Sequence, residues 1–301
     1  MVRLGLCCKF FDEPIRFRTT TATATAKLSR PAALKKLAHL CRHNGESLME
    51  AILFCAAKGI GAFRVNSRIL PLKTHPDLGY SVSDLPEGKA IVALFEACGA
   101  MARKKDIRLT FHPDQFVLLS SPRDDVTIRS IEELEYQAEV ADWIGADVIN
   151  IHGGGAYGHK AAALRRLAKN FKRLSSGVRR RLTLENDDRI YTPSDLLPIC
   201  DRLGIPFVYD IHHHRCLADE EGDFKEASEV TRLAMATWDR EPLFHLSSPR
   251  GGWDSPHPHY HADMIRPGDL PLHWRDLDVT IDVEAKAKER AVLRLRRALI
   301  L

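Results

Sequence analysis

The chain has 301 residues, 45% hydrophobic and 28% charged, with 44 Lys and Arg against 40 Asp and Glu and a formal charge of +4. This composition buries a sizeable core and excludes disordered, collagen-like and coiled-coil classes, while the length fits either two domains or one α/β barrel. Apolar runs such as Ala51 to Ala57 fall short of the roughly 20 residues of a membrane span, and the first residues lack a signal-peptide pattern, so an intracellular, cytoplasmic protein without a membrane partner is expected.

Taken in chain order, short apolar runs alternate with helical patterns, the signature of βα units. Val2 to Cys8 reads as the first strand. The irregular segment Phe10 to Arg30 follows it, and its low-complexity Thr19 to Ala26 run reads as a mobile surface loop. Ala62 to Asn66 is the second strand, followed by a second irregular segment, Arg68 to Glu87. Arg108 to Phe111 is the third. Ile131, Leu134, Ala138 and Ala141 then recur at helical spacing before the fourth strand, Asp147 to Ile151, and Leu164, Leu167, Phe171 and Leu174 do so after it. Leu182 to Glu185 and Phe207 to Asp210 are the fifth and sixth strands, Leu243 to Leu246 the seventh and Val279 to Val283 the eighth. Two further irregular segments, His212 to Lys225 and Ser247 to Arg275, again follow strands. Gly59, Gly61, Gly145 and Gly204 stand where helices should stop. A basic stretch with Arg290, Arg294, Arg296 and Arg297 beside Val292, Leu295 and Leu299 reads as a solvated outer helix. Eight units imply a closed (β/α)8 barrel formed by residues 1–301 as one domain. No GxGxxG follows the first strand, which argues against a nucleotide cofactor.

The seven cysteines are scattered, with only Cys7 and Cys8 adjacent, and are expected to be reduced core residues. Histidine is the unusual feature of the composition: there are 14, most of them beyond position 110. Polar ligand-type residues stand at or just past the strand ends: Asn66, His112, His152, Glu185, Asp210 with His213, His245 and Glu284. In a parallel barrel these converge on the C-terminal mouth, where the fold builds its active sites. Three carboxylates packed among imidazoles need cations, and a thiolate-free His/Asp/Glu set suits Zn²⁺, Mn²⁺ or Fe²⁺, so a site for two or three divalent metals is expected, with Glu185 bridging. Such a centre serves phosphodiester hydrolysis and sugar isomerisation alike, and both remain open on the ligand set alone.

The segments His112-Pro113-Asp114-Gln115-Phe116, His152-Gly153-Gly154-Gly155-Ala156-Tyr157-Gly158, Leu184-Glu185-Asn186-Asp187 and Asp210-Ile211-His212-His213-His214 resemble the ultraviolet damage endonuclease family, over essentially the whole chain. The resemblance implies a TIM barrel that uses two or three Mn²⁺-type ions, with Zn²⁺ or Mg²⁺ as alternatives, and incises double-stranded DNA immediately 5′ to a photoproduct to begin excision repair. A monomer working on DNA in the cytoplasm is implied. By residue, the resemblance places metal ligands at His75, His112, His152, Glu185, Asp210, His213, His245, His261 and Glu284, with Asp263 facing the site. It assigns catalytic roles to Glu185, His112, Glu284 and Lys160. Gln115 and Phe116 become a duplex-probing wedge, in place of a core role for Phe116, and Arg64 and Lys160 are expected to meet phosphates. Two positions depart from the family pattern: Leu6-Cys7-Cys8 where members can carry a Tyr, and Leu243, where some carry a modified Lys. A barrel sugar isomerase or epimerase, and a non-catalytic DNA-binding barrel, are the competing classes.

Overall fold

The computed structural model describes residues 2–217 and 227–299. Eight strands, β1 (Arg3–Cys7), β2 (Ala62–Val65), β3 (Arg108–Phe111), β4 (Val148–His152), β5 (Leu182–Glu185), β6 (Phe207–Asp210), β7 (Leu243–Leu246) and β8 (Thr280–Val283), pair in parallel and in chain order. β1 also pairs with β8, which closes the barrel. The strands are short and almost wholly buried, as they must be when helices cover one face and the barrel interior the other. The expected strands all form, with ends shifted by at most one residue; His152 is the last residue of β4, and Asn66 lies just beyond β2.

The helices are α1 (Ala22–Ala26), α2 (Arg30–Lys58), α3 (Gly88–Lys104), α4 (Asp124–Ile144), α5 (Lys160–Phe171), α6 (Ser176–Arg179), α7 (Pro193–Leu203), α8 (Ile211–Cys216), α9 (Ala227–Ala236) and α10 (Glu289–Leu299). α2, α4 and α7 end on Gly59, Gly145 and Gly204 in the left-handed conformation, the usual helix stop; Gly61 instead leaves room for the Arg3 side chain. Leu174 lies past the end of α5, buried in the turn that follows it. In α10, Val292 and Leu295 are buried while Arg294 and Arg297 stay exposed. No helix among the described residues is long and apolar enough to cross a membrane.

One irregular segment proves more ordered than its composition implies. Within Thr19 to Ala26, Thr21 caps α1 by accepting from the Ala24 N–H, and Thr25 is buried with its hydroxyl against that of Thr20. Hydroxyl-rich residues thus satisfy backbone and side-chain groups locally, where mobility was expected. The segment from His212 begins inside α8; its residues 218–225 lie outside the described residues. The described residues of these segments all leave the C-terminal ends of strands, so they gather over one mouth.

Register decides which side chains enter the barrel. The pairs Gly5↔Asp282, Cys7↔Arg64, Arg64↔Thr110, Asn150↔Thr183, His152↔Glu185, Asp210↔His245 and His245↔Asp282 share the inward face, since side chains alternate along each strand. Lower in the barrel, Val148, Val208 and Leu243 form a small apolar cluster with Trp238. Leu243 belongs to this dry layer, two residues below His245. The large core, including Phe63, Phe95, Phe111, Phe207 and Trp274, lies between the barrel and its helices.

Candidate metal centre

Glu185, the last residue of β5, is fully buried and is the hub of the mouth. Its Oε2 faces His112 Nε2 at 3.0 Å, accepts from the Asn150 amide and lies 3.9 Å from His152 Nε2. Its Oε1 accepts from His245 Nδ1 at 2.9 Å and lies 3.4 Å from His213 Nδ1. Thr183 donates to Asn150 Oδ1 at 2.8 Å and so aims the amide nitrogen at Glu185. Burial opposes the carboxylate's charge, but the surrounding His245, His152, His112 and His213 outweigh it, holding Glu185 well below the usual carboxylate range.

Asp210 closes β6 and caps α8: Oδ1 accepts from the His213 N–H at 2.8 Å. Oδ2 is buried without a hydrogen bond, 3.5 Å from His213 Nδ1. Asn186 braces this corner, exchanging hydrogen bonds with the Asp210 backbone at 2.8 and 3.0 Å. Glu284, just beyond β8, lies 3.5 Å from His245 Nδ1 and 3.7 Å from His261 Nδ1. Burial opposes its charge too, and Arg64, His245 and His261 pull it well below the ordinary range. His261 is placed by an antiparallel bridge to Pro249 and by the Ser247 hydroxyl.

These residues fit divalent cations. Three groups among the described residues present donor atoms within 4.8 Å of one another: His112, His152 and Glu185; His112, His245 and Glu284; and Glu185, Asp210 and His245. Two buried donor atoms, His152 Nδ1 and Asp210 Oδ2, have no hydrogen-bond partner, an expensive condition for groups without a ligand. His112 Nδ1 lies 3.1 Å from the Pro113 carbonyl while Nε2 points at Glu185. With Nδ1–H on a carbonyl, the Nε2 lone pair is available to an ion, the arrangement that histidine ligands adopt. Burial lowers His152 to about 4, so its ring is neutral and able to coordinate at neutral pH.

The structure brings His112, His152, Glu185, Asp210, His213, His245, His261 and Glu284 to one mouth. His75 is not brought into those groups. Its Nδ1 accepts from the Asp77 and Leu78 N–H at 3.2 and 3.3 Å, and its ring lines a neighbouring cavity of about 780 Å³ with Asp114, Phe116 and Tyr136. Asp263 is exposed, and Asn66 caps its own turn by accepting from the Arg68 N–H. Lys160 opens α5 and pairs with Asp195 at 3.0 Å. Arg64 does not stand on the rim to meet phosphate: it is 8% exposed and bonds Asp282, Glu284 and His245 inside the barrel, because β2 turns it inward.

Phe116 is 72% exposed, which removes the core alternative. Gln115 beside it is exposed too, and Asp114 holds the turn by accepting from the Phe116 and Val117 N–H groups. Tyr157, 45% exposed with Arg166 over its ring, lines the same cavity as Phe116. The Gly153–Gly155 backbone runs close to its neighbours: a Cβ at Gly153 would meet the Tyr191 ring at 2.7 Å, and one at Gly154, whose φ is +86°, would collide with the Ser120 hydroxyl.

Residue-type reasoning at strand ends missed Asn150, Asn186, Asp282 and Tyr157. For Asn150 and Asp282 a signal existed, since Asn150 stands two positions before His152 on β4 and Asp282 two before Glu284, just past the end of β8, so that each pair shares a face. All seven cysteines are free, five of them buried.

A family model described as "UV-endonuclease UvdE" matches residues 2–300. A protein named UV DNA damage endonuclease from Bacillus velezensis is 35% identical over 290 residues, covering 92% of this chain and 87% of that protein. The crystal structure of SacUVDE superposes with a TM-score of 0.87 at 27% identity, covering 100% of this chain and 98% of that one. That of endonuclease IV from Thermus thermophilus gives 0.63 at 16% identity, covering 99% and 98%, a likeness of fold alone.

Proposed function

The chain belongs to the UV-endonuclease family, and from that premise we propose that it is a DNA repair endonuclease, one barrel domain acting as a monomer in the cytoplasm. It hydrolyses the phosphodiester immediately 5′ to ultraviolet photoproducts in double-stranded DNA, with abasic sites as a second substrate class, leaving 3′-hydroxyl and 5′-phosphate ends. The observation that carries this reading is the Glu185-centred ligand cluster opening onto the same mouth as the exposed Gln115-Phe116 turn.

Two or three divalent ions, of Mn²⁺ type with Zn²⁺ or Mg²⁺ as alternatives, would be held by His112, His152, Glu185, Asp210, His213, His245, His261 and Glu284, and would supply water activation and charge neutralisation at the phosphoryl oxygens. The protein's own groups do the rest. Glu185 and Glu284 stay ionised at neutral pH, keeping negative donors at the floor of the mouth. Asp210 and Asn186 hold His213 at the turn into α8. His112, whose Nε2 faces Glu185 Oε2 at 3.0 Å, would act on the scissile phosphate from within the ligand cluster. Phe116 enters the duplex and replaces base stacking lost when the damaged nucleotides turn out, a gain of about 1–3 kcal/mol. Gln115 beside it reads the exposed base edges. Lys160, aimed by Asp195 above the glycine turn, meets a backbone phosphate.

The test is an end-labelled duplex carrying one cyclobutane dimer, incubated with the full chain and Mn²⁺. A single cut directly 5′ to the dimer is expected, and Glu185→Gln should lower turnover at least 100-fold while retaining duplex binding. An intact strand with folded, metal-loaded protein refutes the endonuclease reading; unchanged turnover in Glu185→Gln refutes the hub role.

A further inference from the structure

Directly beneath the ligands lies a buried ion pair that the reaction above does not use. Arg64 on β2 donates from Nε to Asp282 Oδ2 at 2.9 Å, from Nη1 to Glu284 Oε1 at 2.5 Å and from Nη2 to His245 Nε2 at 2.9 Å. One planar group thus grips two metal-ligand side chains with separate nitrogens, while a carboxylate two residues before Glu284 holds its third. The barrel is shaped for this carboxylate: β1 contributes Gly5 opposite it, where any Cβ would collide with Asp282 Oδ1.

The consequences for the two ligands follow from donor and acceptor rules. A guanidinium only donates. His245 Nε2 must therefore accept, which places the ring proton on Nδ1 and turns that atom toward Glu185 Oε1, 2.9 Å away. Glu284 Oε1 is occupied by Arg64, so Oε2, 3.7 Å from His261 Nδ1, is the oxygen left for the mouth. Stability is a weak reason for such a pair, since well-packed apolar residues often serve a protein interior as well.

We propose that Arg64 and Asp282 are positioning residues of the metal centre: in the metal-free chain the guanidinium, anchored by Asp282, fixes His245 with its Nδ1–H on Glu185 Oε1, so orienting that carboxylate, and holds Glu284 by Oε1 so that Oε2 is the oxygen presented to a divalent ion; an ion that takes His245 Nδ1 must first displace that proton to water. This rests on the metal-centre reading of the same site and is independent of which DNA lesion is cut.

The two effects of Arg64 on a nearby cation have opposite sign, and that makes the proposal decidable. Its charge repels the ion, whereas its hold on the ligands favours the ion. Titrating the metal-free full chain with MnCl₂ by calorimetry should therefore show binding weakened about 10-fold or more in Arg64→Gln, the scale of lost supporting hydrogen bonds around metal ligands. Equal or tighter binding in that variant overturns the proposal. Because Arg64→Gln strands a buried Asp282, the Arg64→Gln/Asp282→Asn double variant is measured as well. It should melt close to the wild type without metal and still bind Mn²⁺ weakly; wild-type affinity in a folded double variant overturns the proposal. The ¹⁵N resonances of His245 in the metal-free wild type give a readout that needs no variant: protonated Nδ1 with unprotonated Nε2 is expected, and a ring protonated at Nε2 overturns it. A wild-type chain that takes up no Mn²⁺ overturns it together with the metal centre. Mn²⁺ uptake without incision removes the endonuclease reading alone.

Discussion

At the scale of single residues, the chemistry of the mouth depends on groups whose neighbours decide their state. Glu185 stays ionised in full burial because imidazoles and an amide surround it, and His152 stays neutral because burial outweighs its carboxylate neighbours. Phe116 is the opposite case, a large apolar ring left in solvent with no folding benefit. Phe116→Ala should therefore leave the melting temperature within about 1 °C, yet lower kcat/KM on a lesion-bearing duplex by roughly 5- to 150-fold, the equivalent of about 1–3 kcal/mol of lost stacking. Thermal melts and incision kinetics check both halves; a variant that melts much lower with unchanged incision would return Phe116 to a packing role. Residue identity alone marked most of the side chains that the structure gathers around Glu185, because His, Asp and Glu at strand ends have few other reasons to cluster. It misjudged Arg64, since a cation near a proposed DNA site invites a phosphate assignment and only the register turned it inward.

At the scale of elements, the loops over the mouth are held by specific side chains. Glu289, the first residue of α10 and buried, accepts from the Phe11 and Asp12 N–H groups at 2.7 and 2.6 Å, tying the loop after β1 to the C-terminal helix. Glu289→Ala would leave these backbone donors without their acceptor, at about 1–3 kcal/mol for each one kept from water. The melting temperature should fall on the order of 5 °C, and KM for DNA should rise as the loop loosens beside the mouth. Calorimetry and steady-state kinetics decide; a variant that melts like the wild type shows that water replaces the carboxylate. The strands were legible because a parallel barrel strand is buried on both faces and reads as a short apolar run. The loops were not, because capping by Thr21 or Glu289 depends on which backbone amide comes within reach.

At the scale of the whole molecule, the closed barrel concentrates titratable groups in one place and makes stability depend on pH. Burial holds the neutral rings of His152 and His212 near 4, against 6.5 for an ordinary imidazole. His212 faces Asp210 and His213 on its own turn and His261 from the opposite loop. The unfolded chain therefore takes up more protons in acid, and the stability that these two rings contribute to the metal-free protein is complete above about pH 6.5 and is lost as pH falls toward 4. His213 works in the other direction. Burial opposes its charge, but Asp210 and Glu185 raise it well above 6.5, so its contribution is complete below that value and lost at alkaline pH. Melting temperatures in a chelator should peak between these limits, and a flat profile from pH 4 to 7 would contradict the neutral, buried state of the two rings. Sequence by itself determined the strand count, the residue types that gather at the mouth and the family, because periodicity, composition at strand ends and contiguous motifs are local properties of the chain. Only the tertiary structure decided that His75 stands apart from the clusters, that Arg64 turns inward to Asp282, Glu284 and His245, and that Asn150 and Asp282 lie against the Glu185 cluster. Those facts depend on strand register and barrel closure, which set side chains from β1, β2, β4 and β8 around one axis although they are far apart in the chain.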